Sequence, residues 1–345
     1  MARIPVDPNY SFPTFPRATA ATDIFVKEDV QALAAAVSTH VHDGAGKGLL
    51  VGGPAAGSIT NAMLGADVAR ENQLTNGGFE VWQRGNGPFT TPSPVFTADR
   101  WVINGAGATL SVTRNTANVD AASTACAAIT VTAWTGELYL TNTPEHLKQL
   151  LGRTISFSLR VRTSTPNAVR AVIATDVGPF AYSAYHTGGG AYETLTATAL
   201  IAPNVTILSP SVAFGANSTV YVDNANLVVG SQAANYVPLH PADDLARCLR
   251  YYEPLGGAGG TDIVVNSYAV GAATPIQVPF QFRAVKAVVP TVTKNGTWGV
   301  VNSAQPVVNV PTVLGFYVGA AAVAAGMVNF YNTGPGTNFT AESNP

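Results

Sequence analysis

Charge is scarce in this 345-residue chain: Asp, Glu, Lys and Arg together make up 11% of it, against about 25% in ordinary soluble domains. Lysine occurs five times and the net charge is −2. No basic stripe of the kind that nucleic-acid phosphates require is available, which excludes a nucleic-acid partner. Long apolar runs are missing as well. The stretch "FYVGAAAVAAGMVNF" comes nearest, but it is shorter than the roughly 18 residues that span a bilayer, so no membrane insertion is expected. The proline-broken opening "MARIPVDPNYSFPTFPRAT" has no charged-then-apolar leader pattern, and synthesis in a cytoplasm is expected. Cysteine is limited to Cys126 and Cys248, too far apart for metal-type spacing, and both are expected as buried thiols. Catalytic signatures are lacking too: there is no Gly-x-Ser-x-Gly elbow, no phosphate-cradling Gly-Lys-Ser/Thr loop and no His-Glu-x-x-His helix. The sequence therefore predicts no enzyme.

What remains is Thr, Asn, Ser, Gly and Ala between short apolar periods. Residues 1–22 read as an extended arm, since Pro5, Pro8, Pro13 and Pro16 exclude regular helix while Tyr10, Phe12 and Phe15 offer apolar anchors. Residues 23–43 read as a helix. Val26, Val30, Leu33, Val37 and His40 follow spacings of four and three, the narrow seam of helices that pack on their own copies. Four turns are marginal alone in water, so the helix needs a partner. Residues 44–73 form a Gly- and Ala-rich linker.

From residue 74 the period changes to two. "TISFSLRVRT" places Ile155, Phe157, Leu159 and Val161 on one face and Ser156, Ser158, Arg160 and Arg162 on the other. "ATLSVTRNT", "CAAITVTAW", "AVRAVIATD", "ETLTATALI" and "TVYVDNANLVVG" behave alike, which predicts an antiparallel sandwich or jelly roll over 74–233. Trp82, Phe96, Trp101 and Trp134 are expected in or near its core. "PADDLARCLRYYEPLGG" then predicts a helix with Pro241, Asp243 and Asp244 at its start and Leu245, Cys248, Leu249 and Tyr252 on one face. It leads a smaller β domain, completing 234–345. The fold class is thus mainly β, with an arm and a short self-associating helix ahead of two β-sandwich domains.

Several strings resemble parts of bacteriophage tail-fibre and related virion-fibre proteins. "NQLTNGGFEVWQRG" with "FTADRW" is similar to the opening of the carbohydrate-binding-module (galactose-binding-like) jelly rolls in such fibres, and "STVYVDNANLVVG" to the closing strand of the same module. "PADDLARCLRYYE" resembles the helix before their C-terminal β domain, and "HVHDGAGKG" the joint after their N-terminal helices. The strings occur in matching order between residues 26 and 260, while the last 80 residues fit by composition only. The resemblance implies a homotrimeric structural component of a virion: a tail fibre, a head fibre or a capsid decoration. It would be made in the host cytoplasm, bound to other virion proteins through the arm, and would project β domains toward a host surface or glycan. No shaft repeat is present. The other reading is a secreted carbohydrate-binding protein without a virion role.

Three constellations follow. His40 and His42 would point to one face of an extended segment, and three copies would gather six imidazoles around a transition metal on the trimer axis. In the other reading His40 fills the seam and His42 is solvated at the helix end. Glu80 and Asp223 correspond to the acidic residues on opening and closing strands that hold a structural calcium in related jelly rolls, with backbone carbonyls completing the shell; otherwise they are an exposed Glu and a turn Asp. "FAYSAYHTGGGAYET" supplies Tyr182, Tyr185, His186 and Tyr192 on a Gly-rich loop, with Arg160, Arg162 and Arg170 as donors on neighbouring strand faces. Tyrosines in such a loop suit stacking on sugar rings, or packing on a neighbouring subunit. No cofactor is required by either use.

Overall fold

The computed structural model describes residues 70–92, 94–105, 109–136, 138–257 and 261–344. The arm, the seam residues Val26, Val30, Leu33 and Val37, and His40 and His42 lie outside the described residues. Among the described residues no helix is long and apolar enough to cross a membrane.

The chain is mainly β. Two six-stranded antiparallel sheets face each other in the first lobe. One runs β1 (Phe89–Thr90), β4 (Thr109–Asn115), β5 (Cys126–Thr132), β12 (Ser218–Val229), β7 (Thr154–Arg162), β10 (Tyr192–Leu200). The other runs β2 (Val95–Phe96), β3 (Val102–Gly105), β6 (Leu138–Thr141), β11 (Leu208–Phe214), β8 (Val169–Thr175), β9 (Ala181–Tyr182). The period-two residues of β7, namely Ile155, Phe157, Leu159 and Val161, meet Ile103, Leu140, Val169, Ala171, Ile173 and Val212 of the facing sheet in one core. Phe79 stacks on Trp101 within it at 4.4 Å between ring centroids. Pairing begins ahead of residue 74: Gln73 N–H donates to the Leu227 carbonyl at 2.9 Å, and Asn72 Oδ1 accepts from Leu227 N.

Two local expectations need correcting. Ser156 and Ser158 are buried although they face away from the core. Ser156 Oγ donates to the Gly230 carbonyl at 2.8 Å, and Asn226 Nδ2 to the Ala234 carbonyl at 3.1 Å, so the chain leaving β12 turns back over this face. Trp134 is 39% exposed, held at the surface by its indole N–H donating to the Phe214 carbonyl.

Helix α1 (Pro241–Leu249) opens the second lobe, with His240 as its N-cap. Its buried residues are Asp244, Cys248 and Leu249, whereas Leu245 is exposed and Tyr252 already belongs to strand β13 (Tyr252–Leu255). Asp244 turns inward because its carboxylate accepts Asn76 N–H of the first lobe at 3.1 Å. Three small sheets follow: β13–β21–β16, β14–β20–β17 and β15–β19–β18. They comprise β14 (Val264–Ala269), β15 (Pro275–Gln281), β16 (Thr291–Lys294), β17 (Gly299–Val301), β18 (Val307–Asn309), β19 (Gly315–Ala321), β20 (Gly326–Tyr331) and β21 (Phe339–Glu342). Trp298, Phe316, Phe330 and Phe339 form their common core.

The lobes are joined by partly buried polar contacts. Arg84 reaches Glu342 at 2.6 Å and Asp99 at 3.5 Å, and its guanidinium lies 3.8 Å from the Tyr252 ring centroid. Arg100 stacks on Tyr251 at the same distance and donates to Asn344 Oδ1. Both cysteines are buried free thiols, and burial pushes Cys126 up to about 12.

Candidate functional site

The candidate glycan residues divide between the two outer faces of the first lobe. On the second sheet, Val169, Ala171 and Ile173 of β8 point into the core, so Arg170 and Val172 point out. Val172 pairs with Tyr182 on β9 and with Ser211 on β11, and Ser211 pairs with Thr141 on β6. Val172, Ser211 and Thr141 are themselves buried, so only the aromatic edge beside this row reaches the surface. Arg170 lies between two rings, its guanidinium carbon 3.6 Å from the Tyr182 centroid and 4.7 Å from that of Tyr185. Both tyrosines are 36% exposed.

The segment holding them is rigid for local reasons. Ser183 N–H donates to the Ala171 carbonyl and Ser183 Oγ accepts from Ala171 N, both at 2.9 Å, while His186 N–H donates to the Val169 carbonyl. Tyr185 rests on Gly215, where an added Cβ would lie 3.0 Å from its ring and 2.8 Å from the Asn167 carbonyl. Only glycine permits that approach. Trp134, anchored to the carbonyl of Phe214 next to Gly215, adds an exposed aromatic that sequence reasoning assigned to the core. Its place in an odd, polar loop after β5 was the available signal.

His186 is fully buried. Its Nδ1 accepts Gly188 N–H at 2.9 Å, which leaves the hydrogen on Nε2 to be shared between the carbonyls of Val161 (3.1 Å) and Ala191 (3.2 Å). It ties the Gly-rich turn to β7 and is not presented at the surface.

Arg160, Arg162 and Tyr192 lie together on the first sheet, away from Tyr182 and Tyr185, because β7 and β10 belong to that sheet. Loop 116–124 engages all three. Arg160 donates from two nitrogens to Asp120, at 2.8 and 3.1 Å. Arg162 donates to Asn118 Oδ1 at 3.3 Å and also to the Gly190 carbonyl at 2.9 Å, and Tyr192 Oη donates to the Asn118 carbonyl at 2.7 Å. Burial opposes ionisation of Asp120, but the hydrogen bonds and charge of Arg160 prevail and hold its carboxyl below the usual range.

Glu80 and Asp223 both touch the same loop. Glu80 accepts Thr124 N–H at 2.9 Å and the Thr124 hydroxyl. Asp223 accepts Asp120 N–H at 3.0 Å and Asn224 N–H at 2.8 Å. Asp223 is wholly buried, and burial pushes its carboxyl up to about 7. No salt bridge reaches it among the described residues, and no cluster of three or more His, Cys, Asp or Glu side chains forms there or elsewhere among them. A hard cation at this pair would draw most of its oxygens from carbonyls and Asn224, since two carboxylates fall short of six ligands.

No family model and no curated protein matches the sequence. Solved structures do. The chain is similar to the enzymatically active domain of tailspike protein 4 of bacteriophage CBA120, with 12% identity and a TM-score of 0.34, over 46% of this chain and 21% of that one. It is also similar to the CBM22-1 xylan-binding domain of Paenibacillus barcinonensis Xyn10C, with 15% identity and a TM-score of 0.33, over 49% of this chain and 100% of that one. A family 4 carbohydrate-binding module is matched at 17% identity with a TM-score of 0.32, over 45% of this chain and 99% of that one. The chain thus spans about a fifth of the tailspike domain and nearly all of either module.

Proposed function

We propose that this chain is a non-catalytic, homotrimeric structural component of a bacteriophage particle that binds glycan through the aromatic edge of its second sheet. The observation that carries the glycan reading is Arg170 held between Tyr182 and Tyr185 at the protein surface. Ring faces cover the apolar side of a sugar, and a guanidinium fixed beside them offers donors to its hydroxyls at little conformational cost. The ordered resemblance of "NGGFEVWQRG", "STVYVDNANLVVG" and "PADDLARCLRYYE" to fibre proteins supports the virion reading. Attachment would run through the arm and threefold register through the seam helix, and three copies would raise avidity even where each site is weak. A secreted carbohydrate-binding protein shares the lobe but gives the seam helix no role.

Glycan-array binding tests the site. Tyr182→Ala and Tyr185→Ala are expected to abolish array signal in the folded protein; unchanged binding excludes this face. Solution mass tests the trimer, and immunolabelled particles test the virion location.

The proposal includes calcium at Glu80 and Asp223, supported by a buried carboxylate that no salt bridge reaches among the described residues. Calcium at a hundredfold excess over its dissociation constant would add about 2.7 kcal/mol. Chelation should therefore lower the melting temperature of wild type and leave Asp223→Asn unmoved. An axial transition metal at His40 and His42 would appear in elemental analysis of the assembled protein and vanish in His42→Ala.

A further inference from the structure

The second lobe carries almost no charge: between Ile263 and Ala341 there is no Asp or Glu, and the only Lys or Arg side chains are Arg283, Lys286 and Lys294. Its surface exposes Val264, Tyr268, Val270, Val301, Val323 and Met327, each more than half exposed or at that limit (Val264 50%, Val270 85%). Contiguous apolar exposure of this kind marks an interaction surface.

These residues gather on and around the sheet β14–β20–β17. Val265, Ala269, Val328 and Phe330 point into the core, so Val264, Asn266 and Tyr268 of β14 and Met327 and Asn329 of β20 form its outer face. Asn329 donates to Asn266 Oδ1 across it.

The edge of this sheet is unusual within the lobe. Exposed sheet edges are ordinarily protected by charge, proline or brevity. Strand β13 has Glu253 and Pro254, β15 has Pro275 and Pro279, and β16 has Lys294. Strands β17 and β18 have three residues each. β14 has six residues, "VVNSYA", with neither charge nor proline. The direction of its backbone follows from one bond. Asn332 N–H donates to the Ile263 carbonyl at 3.1 Å, and Val264 pairs with Tyr331. Ile263, Val265, Ser267 and Ala269 therefore bond toward β20, and Val264, Asn266 and Tyr268 aim their N–H and C=O groups away from it. Among the described residues nothing bonds those groups.

We propose that β14 pairs with β14 of a second copy of this chain, antiparallel and centred on Asn266. The strand is self-complementary in that register. Asn266 faces Asn266, and Val264 of either copy faces Tyr268 of the other. Every outward N–H then meets an outward C=O, because in an antiparallel pair the facing outward residues exchange both bonds. The apolar pairs fall on the same face, where cross-strand aromatic and β-branched contacts stabilise pairing. A charged partner finds no countercharge on this surface, and the strand's own copy satisfies both its backbone and its side chains. The contact is separate from the N-terminal seam and goes beyond the proposed function.

The test uses the full chain, with mass by native mass spectrometry and amide exchange resolved within 264–269. Wild type should contain an even number of chains, and Tyr268→Lys and Asn266→Pro should each halve it: six to three where the rod also trimerises, two to one where it does not. Asn266→Pro removes no backbone bond to β20, only the side-chain bond from Asn329, and Tyr268→Lys changes a side chain that is 67% exposed, so at least one variant should fold. The amides of Val264, Asn266 and Tyr268 should exchange at least ~100-fold more slowly in wild type than in Tyr268→Lys. Identical masses for wild type and both variants overturn the proposal, as does fast exchange at those amides in wild type. Slow exchange with unchanged mass assigns the edge to residues of the same chain and overturns it too.

Discussion

The two outer faces of the first lobe hold the same residue types with opposite outcomes. On the first sheet, Arg160, Arg162 and Tyr192 are tied down by loop 116–124 through Asp120, Asn118 and the turn at Gly190. On the second, Arg170, Tyr182 and Tyr185 touch chiefly one another and stay at the surface. An arginine beside a tyrosine is therefore no site in itself. What decides is whether another segment crosses the face and takes the donors. His186 links the two faces, since it belongs to the loop of the exposed pair yet bonds the carbonyl of Val161 on the opposite sheet.

This contrast can be broken by substitution. His186→Ala should cost the most, about 3 kcal/mol in urea unfolding, because it leaves the Gly188 N–H without its acceptor and a void where a fully buried side chain stood. A loss below about 1 kcal/mol would show that the turn does not depend on it.

The next effect is on pH, and it belongs to the covered face alone. Burial raises the folded-state carboxyl of Asp223 to about 7, above its unfolded value near 3.9. Between those values the folded chain binds the extra proton, so the contribution of this group to stability is fully present below about pH 4 and is lost as pH rises through about 7. With chelator present this contribution should fall by at most about 1.4 kcal/mol per pH unit between those values, and Asp223→Asn should flatten it. Glycan binding on the other face should stay level across the same range. A parallel change in binding would mean that the faces are coupled.

Arginine substitutions sharpen the comparison further. Arg160→Ala removes a two-nitrogen bond to a half-buried Asp120 and should destabilise by about 2 kcal/mol. Arg170→Ala should change stability by less than about 0.5 kcal/mol while weakening glycan binding roughly tenfold, near 1.4 kcal/mol. Equal stability losses would remove the distinction between the faces. Smallest of all should be Tyr182→Ala, within about 0.5 kcal/mol in unfolding, with its effect confined to binding.

Much of the first lobe was legible because its strands alternate. β4, β5, β7, β8, β10 and β12 fall where period two placed them, since a face packed on a core constrains every second residue. The second lobe was legible more coarsely. It reads as a small β domain led by a helix, whereas β14, β20 and β21, with "VVNSYA", "GMVNFY" and "FTAE", carry apolar residues on both faces or too few to show a period. Helix α1 was visible from Pro241 and its acidic first turn, but Asp244 faces inward to Asn76, a residue 168 positions away. No local pattern announces such a partner.

For the site, the sequence named the tyrosines, the histidine and the arginines as one group on the strength of proximity along the chain. Chain neighbours divide when consecutive strands belong to different sheets, as β7 and β8 do and again β9 and β10. By itself the sequence determined the strand faces, the helix start, the lack of charge and the absence of catalytic motifs, all of which depend on residues a few positions apart. The tertiary structure alone decided which polar face stays open, which carboxylate loses its water and which strand ends at an edge. Those outcomes depend on segments that meet across the fold, and burial there sets both hydrogen-bond supply and local dielectric.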